Sequence, residues 1–297
     1  MRAYLLPNPA PFELKLQKRL SGTAKPRVAW DVFRSGEVFV RTPAPPKAAA
    51  VIGWVAPPHD DVFRTALLLD TLRRNGAKDL TLILPYFAYE RQDRQLAAGD
   101  PVSANCMAKL MAAAGAKRIL TVDLHSRHFP SPIPVKSVSV LPEMAPKVRK
   151  LLKRKNAVVV SPDQGGLARA KSFAAAFGAD DVLWIKKHRA ANGTVRALSM
   201  HGDLTSEAAV IVDDMLDSGH TVAEAVRLLR KAGVKEIHLC VTHALFTEGA
   251  VARIRGCKLA SVTVSDTVEL PDEIDRLGTP LHVHSAISAL AAATLLG

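Results

Sequence analysis

Short apolar runs rich in β-branched residues alternate along the chain with longer stretches whose apolar positions recur at three- and four-residue spacing. The first pattern predicts strands over residues 49–55, 80–84, 119–122, 157–160, 209–212 and 237–241. The second predicts helices over 62–74, 104–114, 166–177, 221–231 and 285–296. In the first helix, Phe63, Leu67, Leu68 and Leu72 make one apolar stripe for a core. Strand and helix in regular alternation imply an α/β protein with mainly parallel sheets flanked by helices.

A small unit recurs within this pattern. Gly76-Ala-Lys78, Gly115-Ala-Lys117 and Gly233-Val-Lys235 each follow a predicted helix and precede a predicted strand. Glycine in the left-handed conformation can end the helix, and the lysine then stands at the strand entrance. Ten residues beyond each glycine come Tyr86, His125 and His243, where the strands are expected to run out. Ligands collect at the carboxyl ends of parallel strands, so all three positions are candidates. The segments AGAKRILTVDLH and AGVKEIHLCVTH are alike enough to imply two related domains, joined near 140–147.

Composition narrows the class. With 48% hydrophobic residues in 297, the chain can build substantial cores. No apolar run reaches the roughly 20 residues of a membrane span, and no membrane partner is expected. The start, MRAYLLPNPAPFELK, has neither the apolar region nor the cleavage site of a secretory signal. Three widely spaced cysteines, Cys106, Cys240 and Cys257, suit buried thiols in a reducing cytoplasm. The formal charge of +12 is compatible with phosphorylated ligands. Base-stacking aromatics are scarce and there is no basic tail, so nucleic acid is not expected. Part of the charge lies in runs such as 147–155 (KVRKLLKRK), expected on a solvated helix face.

The densest chemistry lies at 210–221 (VIVDDMLDSGHT). An apolar strand leads to Asp213 and Asp214, then to Asp217, Ser218, Gly219, His220 and Thr221, where a periodic helix starts. Backbone N–H groups and the Ser218 and Thr221 hydroxyls can enclose a phosphate, and Gly219 allows close backbone approach. The acidic pair suits sugar hydroxyls, or a Mg²⁺ shared between hydroxyl and diphosphate oxygens. The same residue types also make an ordinary helix N-cap beside a solvated acidic turn.

Three other segments stand at predicted strand ends. Residues 85–94 (PYFAYERQDR) carry Arg91, Gln92 and Arg94, a guanidinium and amide set able to hold nucleotide phosphates or a base edge. Residues 121–125 (TVDLH) and 159–170 (VVSPDQGGLARA) present His125 and Asp163. In this order and spacing, from FRSGEV at 33–38 to the last helix, the chain resembles the ribose-phosphate diphosphokinase family.

That resemblance implies two domains of type I phosphoribosyltransferase-like fold. The first would span 1–142, completed by the C-terminal helix at 283–297; the second would span 143–282 and carry the ribose 5-phosphate loop. It implies transfer of the β,γ-diphosphate of ATP to the 1-hydroxyl of ribose 5-phosphate, with Mg²⁺ as cofactor and a homo-oligomer as the assembly. Carried over residue by residue, Phe33, Glu37, Arg91 and Gln92 would contact the nucleotide. His125 and Asp163 would stand near Mg²⁺-bound diphosphate, with His125 also counted as catalytic. Asp213, Asp214 and Asp217 would address the ribose and its metal, and Ser218, Gly219, His220 and Thr221 would form the 5-phosphate loop. Lys187 and Arg189, in IKKHRAAN at 185–192, match the family's catalytic Lys-x-Arg pair, with Lys186 as an alternative register. Such cations lower the barrier by meeting charge that develops on the diphosphate oxygens.

The chain departs from the family pattern at three places. Ser35 stands where many members have an aspartate that, with glutamate, reads adenine across a subunit interface. A hydroxyl lacks a carboxylate's acceptor strength, which leaves the nucleotide donor open. The stretch QLAAGDPVSAN after Arg94 lacks the family's serine- and arginine-rich regulatory character. Arg127-His128 replaces a small residue and glutamine, with no mechanistic account. A non-catalytic regulatory paralogue and a phosphoribosyltransferase are the alternative functions.

Overall fold

The computed structural model describes residues 1–22, 26–57, 59–126, 129–154, 156–189 and 195–296, and at 187–189 and 195–198 the backbone alone. The chain divides into two compact units, Met1–Ser139 with Ala286–Gly297, and Val140–Ser285.

The first unit contains β1 (Arg2–Leu5), α1 (Pro11–Ser21), β2 (Ala29–Val32), β3 (Val38–Arg41), β4 (Ala48–Ile52), α2 (Asp60–Arg74), β5 (Asp79–Leu84), α3 (Ser103–Ala114), β6 (Arg118–Val122) and β7 (Val135–Val138). Five strands form a parallel sheet in the order β1-β4-β5-β6-β7, while β2 and β3 make a separate antiparallel hairpin. Leu80, Leu82, Ile83 and Leu84 are all buried, as expected for a parallel strand covered on both faces.

Helix α2 corrects one expectation. Its inward stripe is Thr65, Leu68, Leu69 and Leu72, whereas Phe63 is 60% exposed and Leu67 only partly buried. The cause is close approach of the helix to the end of β4. A Cβ on Gly53 would lie 2.7 Å from Thr65 Cγ2, and the Trp54 carbonyl accepts from the Thr65 hydroxyl at 3.1 Å. A buried threonine thus takes the helix face that apolar spacing alone gives to phenylalanine.

The second unit contains α4 (Leu141–Arg149), β8 (Val158–Ser161), α5 (Leu167–Phe177), β9 (Val182–Arg189), β10 (Val195–His201), β11 (Ala208–Leu216), α6 (His220–Lys231), β12 (Glu236–Ala244), α7 (Ala250–Gly256), β13 (Ser261–Ser265), a 3-10 turn (Asp272–Leu277) and β14 (Leu281–His284). Its seven strands run β10-β9-β8-β11-β12-β13-β14, all parallel except β10 against β9. Helix α6 buries Val222, Ala225, Val226 and Leu229 in a core with Ile211 and Leu239. The basic run at 147–155 is helical only through Arg149, so most of it is not a helix face. After β14 the chain returns to the first unit as α8 (Ile287–Leu296), which packs on α1 and β6.

The recurring Gly-x-Lys unit takes one geometry three times. The glycines have φ of +108°, +125° and +98°, which suits glycine and strains other residues. In each case the next N–H bonds back to the carbonyl five residues earlier at 3.0 Å: Ala77 to Leu72, Ala116 to Met111, Val234 to Leu229. This is the six-to-one bond of a left-handed helix stop. Each following lysine N–H then joins a neighbouring segment, at Lys47, Leu80 and Glu207. The expected strand ends hold for Tyr86 and His125, which lie past β5 and β6. They do not hold for His243. Strand β12 stays paired with β11 through Leu216↔Ala244, so His243 lies inside it, buried, with Nδ1 2.8 Å from the Thr267 hydroxyl.

Leu68→Ala is expected to lower stability by about 2–5 kcal/mol, against within about 0.5 kcal/mol for Phe63→Ala. Chemical denaturation of the two variants checks this assignment of the α2 face.

Candidate functional site

Strand register sets the site in the second unit. Val160 of β8 pairs with Ile211 of β11, and β8 ends one residue later. Beyond that level β11 continues without β8 beside it, and there it carries Asp213 and Asp214. The acidic pair therefore lies within the strand, where the sequence pattern places it just past the strand's end. Asp163 follows β8 by two residues. Its turn is held by the Gly166 N–H donating to Asp163 Oδ1 at 2.9 Å and the Ser161 hydroxyl donating to the Asp163 carbonyl at 2.7 Å.

Past Leu216 the chain turns through Asp217, Ser218 and Gly219 into α6, which starts at His220, one residue before the predicted Thr221. Gly219 has φ +75°, and a Cβ there would lie 3.1 Å from Ile254 Cδ1 of α7. The loop is anchored from outside: Phe246 N–H donates to the Leu216 carbonyl at 2.9 Å, Thr247 N–H to the Asp217 carbonyl at 3.3 Å, and Arg253 to the Ser218 carbonyl. The Ser218 hydroxyl lies 3.1 Å from His220 Nδ1, while Asp217, Ser218 and Thr221 are half-buried and His220 is exposed. A fixed turn at a helix N-terminus, with two hydroxyls beside it, suits an anion.

The carboxylates are crowded. Asp214 is buried, Asp213 nearly so, and Arg169 of α5 places one nitrogen 3.4 Å from Asp213 Oδ1 and 3.2 Å from Asp214 Oδ1. Burial pushes the Asp213 carboxyl well above the usual carboxylate range; the Asp214 charge adds to this, Arg169 opposes it, and Asp163 adds again. No motif in the sequence gives Arg169 a role, although it lies in the SPDQGGLARA segment. Arg253 carries no local signal at all, since only the fold brings α7 to the loop.

In the first unit, residues 85–94 form the loop after β5. Arg91 and Gln92 are exposed, the Ser103 hydroxyl donates to Gln92 Oε1, and the Ala104 N–H donates to the Gln92 carbonyl at 3.2 Å. The side chain at Gln92 is thus tied to the start of α3. His125 is exposed three residues past β6, and its N–H donates to Oε2 of buried Glu90 at 2.8 Å. Glu90, also unassigned from sequence, joins the 85–94 loop to the His125 turn. Between β2 and β3, Phe33 is 54% exposed, and the Ser35 hydroxyl donates to Glu37 Oε2 at 2.7 Å.

Lys187 and Arg189 lie on the backbone of β9, opposite Leu198 and Val195 of β10. Residues 190–192 of the IKKHRAAN segment, and Arg127-His128, lie outside the described residues. Among the described residues, no three His, Cys, Asp or Glu groups are arranged as a ready metal site, and no helix is long and apolar enough to cross a membrane. Magnesium does not need an all-protein cage, because it keeps waters and takes one or two carboxylates together with substrate oxygens. The oxygens of Asp163, Asp213 and Asp214 fit that donor set.

Two family profiles match the chain: "N-terminal domain of ribose phosphate pyrophosphokinase" over residues 14–115, and "Phosphoribosyl transferase domain" over 136–265. A ribose-phosphate pyrophosphokinase from Synechocystis sp. is 34% identical over 268 residues, which cover 89% of this chain and 74% of that protein. The chain belongs to the ribose-phosphate pyrophosphokinase family. The family's protein from Haemophilus influenzae is 32% identical, covering 83% of this chain and 80% of its own. The crystal structure of phosphoribosylpyrophosphate synthetase from Mycobacterium smegmatis superposes with a TM-score of 0.87 at 28% identity, covering 99% of this chain and 98% of that one.

A carboxyl raised by folding stabilises the fold where it is protonated, and that contribution is lost as pH rises through its folded value. Ligand-free Asp213→Asn is therefore expected to be more stable than the unsubstituted chain at mildly alkaline pH. The difference should close below the usual carboxylate range. Denaturant titrations at both pH values test this, and an equal difference at both would refute it.

Proposed function

We propose that this chain transfers the β,γ-diphosphate of ATP to the 1-hydroxyl of ribose 5-phosphate, giving 5-phosphoribosyl 1-diphosphate and AMP. The observation that carries this reading is the arrangement of β11, the 217–219 turn and the start of α6. It offers carboxylates for ribose hydroxyls and a helix N-terminus for the 5-phosphate within one short segment. Membership of an enzyme family named for this reaction supports it.

In this reading Ser218, Gly219, His220 and Thr221 hold the 5-phosphate, and Asp213, Asp214 and Asp217 hold the ribose. With both ends of the sugar fixed, O1 attacks the β-phosphorus in line; the new O1–P bond forms as the bond from the β-phosphorus to the AMP oxygen breaks, and the hydroxyl proton is released to solvent. Holding the reactants in place converts a two-body encounter into an internal step. Phe33, Glu37, Arg91 and Gln92 bind the nucleotide, and Lys187 and Arg189 neutralise charge that grows on the diphosphate oxygens. His125 and Asp163 are the residues assigned to hold Mg²⁺, which when bound neutralises diphosphate charge and lowers the pKa of the hydroxyl. The 1–142 and 143–282 division, with 283–297 completing the first part, is the proposed domain plan for a cytoplasmic homo-oligomer.

Purified protein with Mg²⁺, ribose 5-phosphate and a nucleotide panel is expected to yield 5-phosphoribosyl 1-diphosphate by phosphorus NMR, with ATP among the donors. No such product from any donor would defeat the reading. Lys187→Ala should lower turnover far more than ribose 5-phosphate affinity. Asp217→Ala and Thr221→Val should mainly weaken ribose 5-phosphate, and equal effects of all three on both parameters would remove the distinction between their roles.

A further inference from the structure

Arg169 is placed where its own helix does not favour it. It is the third residue of α5, within the first turn, where the helix dipole favours negative side chains. Its side chain is only 14% exposed and shares one guanidinium nitrogen between Asp213 and Asp214. The α5 start is set by the Asp163 turn, through the Gly166 N–H on Asp163 Oδ1. Gly166 also leaves the space through which the arginine passes. A Cβ there would lie 2.7 Å from Ser161 Oγ and 3.3 Å from Arg169 Nη1.

We propose that Arg169 is a positioning residue for the sugar site, holding the Asp213 and Asp214 carboxylates where ribose hydroxyls meet them. This rests on the reading of 210–221 as the ribose 5-phosphate segment. Two adjacent carboxylates with little access to water repel each other and turn apart unless a cation lies against both. Arg169 supplies that charge from a rigid helix start. Its station is fixed by the turn that also carries Asp163, so that turn and the acidic pair of β11 are aligned through one side chain. Outer partners that orient the ligands of a metal site cost on the order of 10- to 100-fold when removed, and a loss of the same order is expected for carboxylates that orient a sugar.

The test is calorimetric titration of ribose 5-phosphate, without nucleotide, into the full chain and three variants, with steady-state KM for both substrates beside it. Arg169→Gln is expected to weaken ribose 5-phosphate by about tenfold. Arg169→Lys, which keeps the charge, should recover part of that loss. Gly166→Ala, which keeps the guanidinium and crowds its path, should weaken the sugar as well. The KM for nucleotide should stay unchanged in the two Arg169 variants.

Unchanged sugar binding in Arg169→Gln overturns the proposal, and so does a lysine variant no better than the glutamine one. Parallel loss of sugar and nucleotide affinity would make Arg169 a general fold residue, which also overturns it. If the unsubstituted chain forms no 5-phosphoribosyl 1-diphosphate, the functional reading falls first and this inference with it; if it forms product and Arg169→Gln leaves the KM for ribose 5-phosphate unchanged, this inference alone falls.

Discussion

Two carboxylates on consecutive residues of a mostly buried strand repel each other and have lost most of the water that would stabilise them. Asp213 and Asp214 impose this condition on the second unit. The neighbouring strand β8 stops short, so this stretch of β11 has no β8 residue paired beside it. A guanidinium reaches them from α5, and the turn before α5 is locked by its own hydrogen bonds. The 217–219 turn that follows is fastened by main-chain bonds to 246–247 and by Arg253. Each of these features makes sense as support for charge that the ligand-free fold does not itself need.

Much of the fold is legible in the sequence because its signals are local. The Gly-x-Lys unit is the clearest case: a positive φ, a six-to-one bond and a strand entrance all lie within a few residues, and all three copies fold alike. The central strands are equally plain, since burial on both faces leaves continuous apolar runs. The edge strands β1, β7 and β14, the short strand β13 beside β14, and the β2–β3 hairpin carry weaker patterns. Strand length depends on pairing, which residue type does not reveal: β11 and β12 outrun their apolar cores, drawing Asp213, Asp214 and His243 into the sheet.

The site divides in the same way. The phosphate-loop residues and Asp163 stand in motifs whose composition announces them. Arg169, Glu90 and Arg253 act through contacts between elements, and an arginine on a helix gives no hint of which carboxylates it will meet. The α2 face fails for a related reason. Gly53 draws the helix close enough for Thr65 to be buried, so packing distance overrides the apolar period that would turn Phe63 inward.

The last helix joins the first unit, with Leu290 and Ala291 buried and α1 and β6 as its neighbours. The second unit is thus an insertion in the chain order of the first. During synthesis, the first unit can assemble its sheet early but must wait for the whole second unit to leave the ribosome before its last helix arrives. Until then the surface that α8 covers remains apolar and wet, so the nascent chain is open to aggregation for as long as the second unit takes to make.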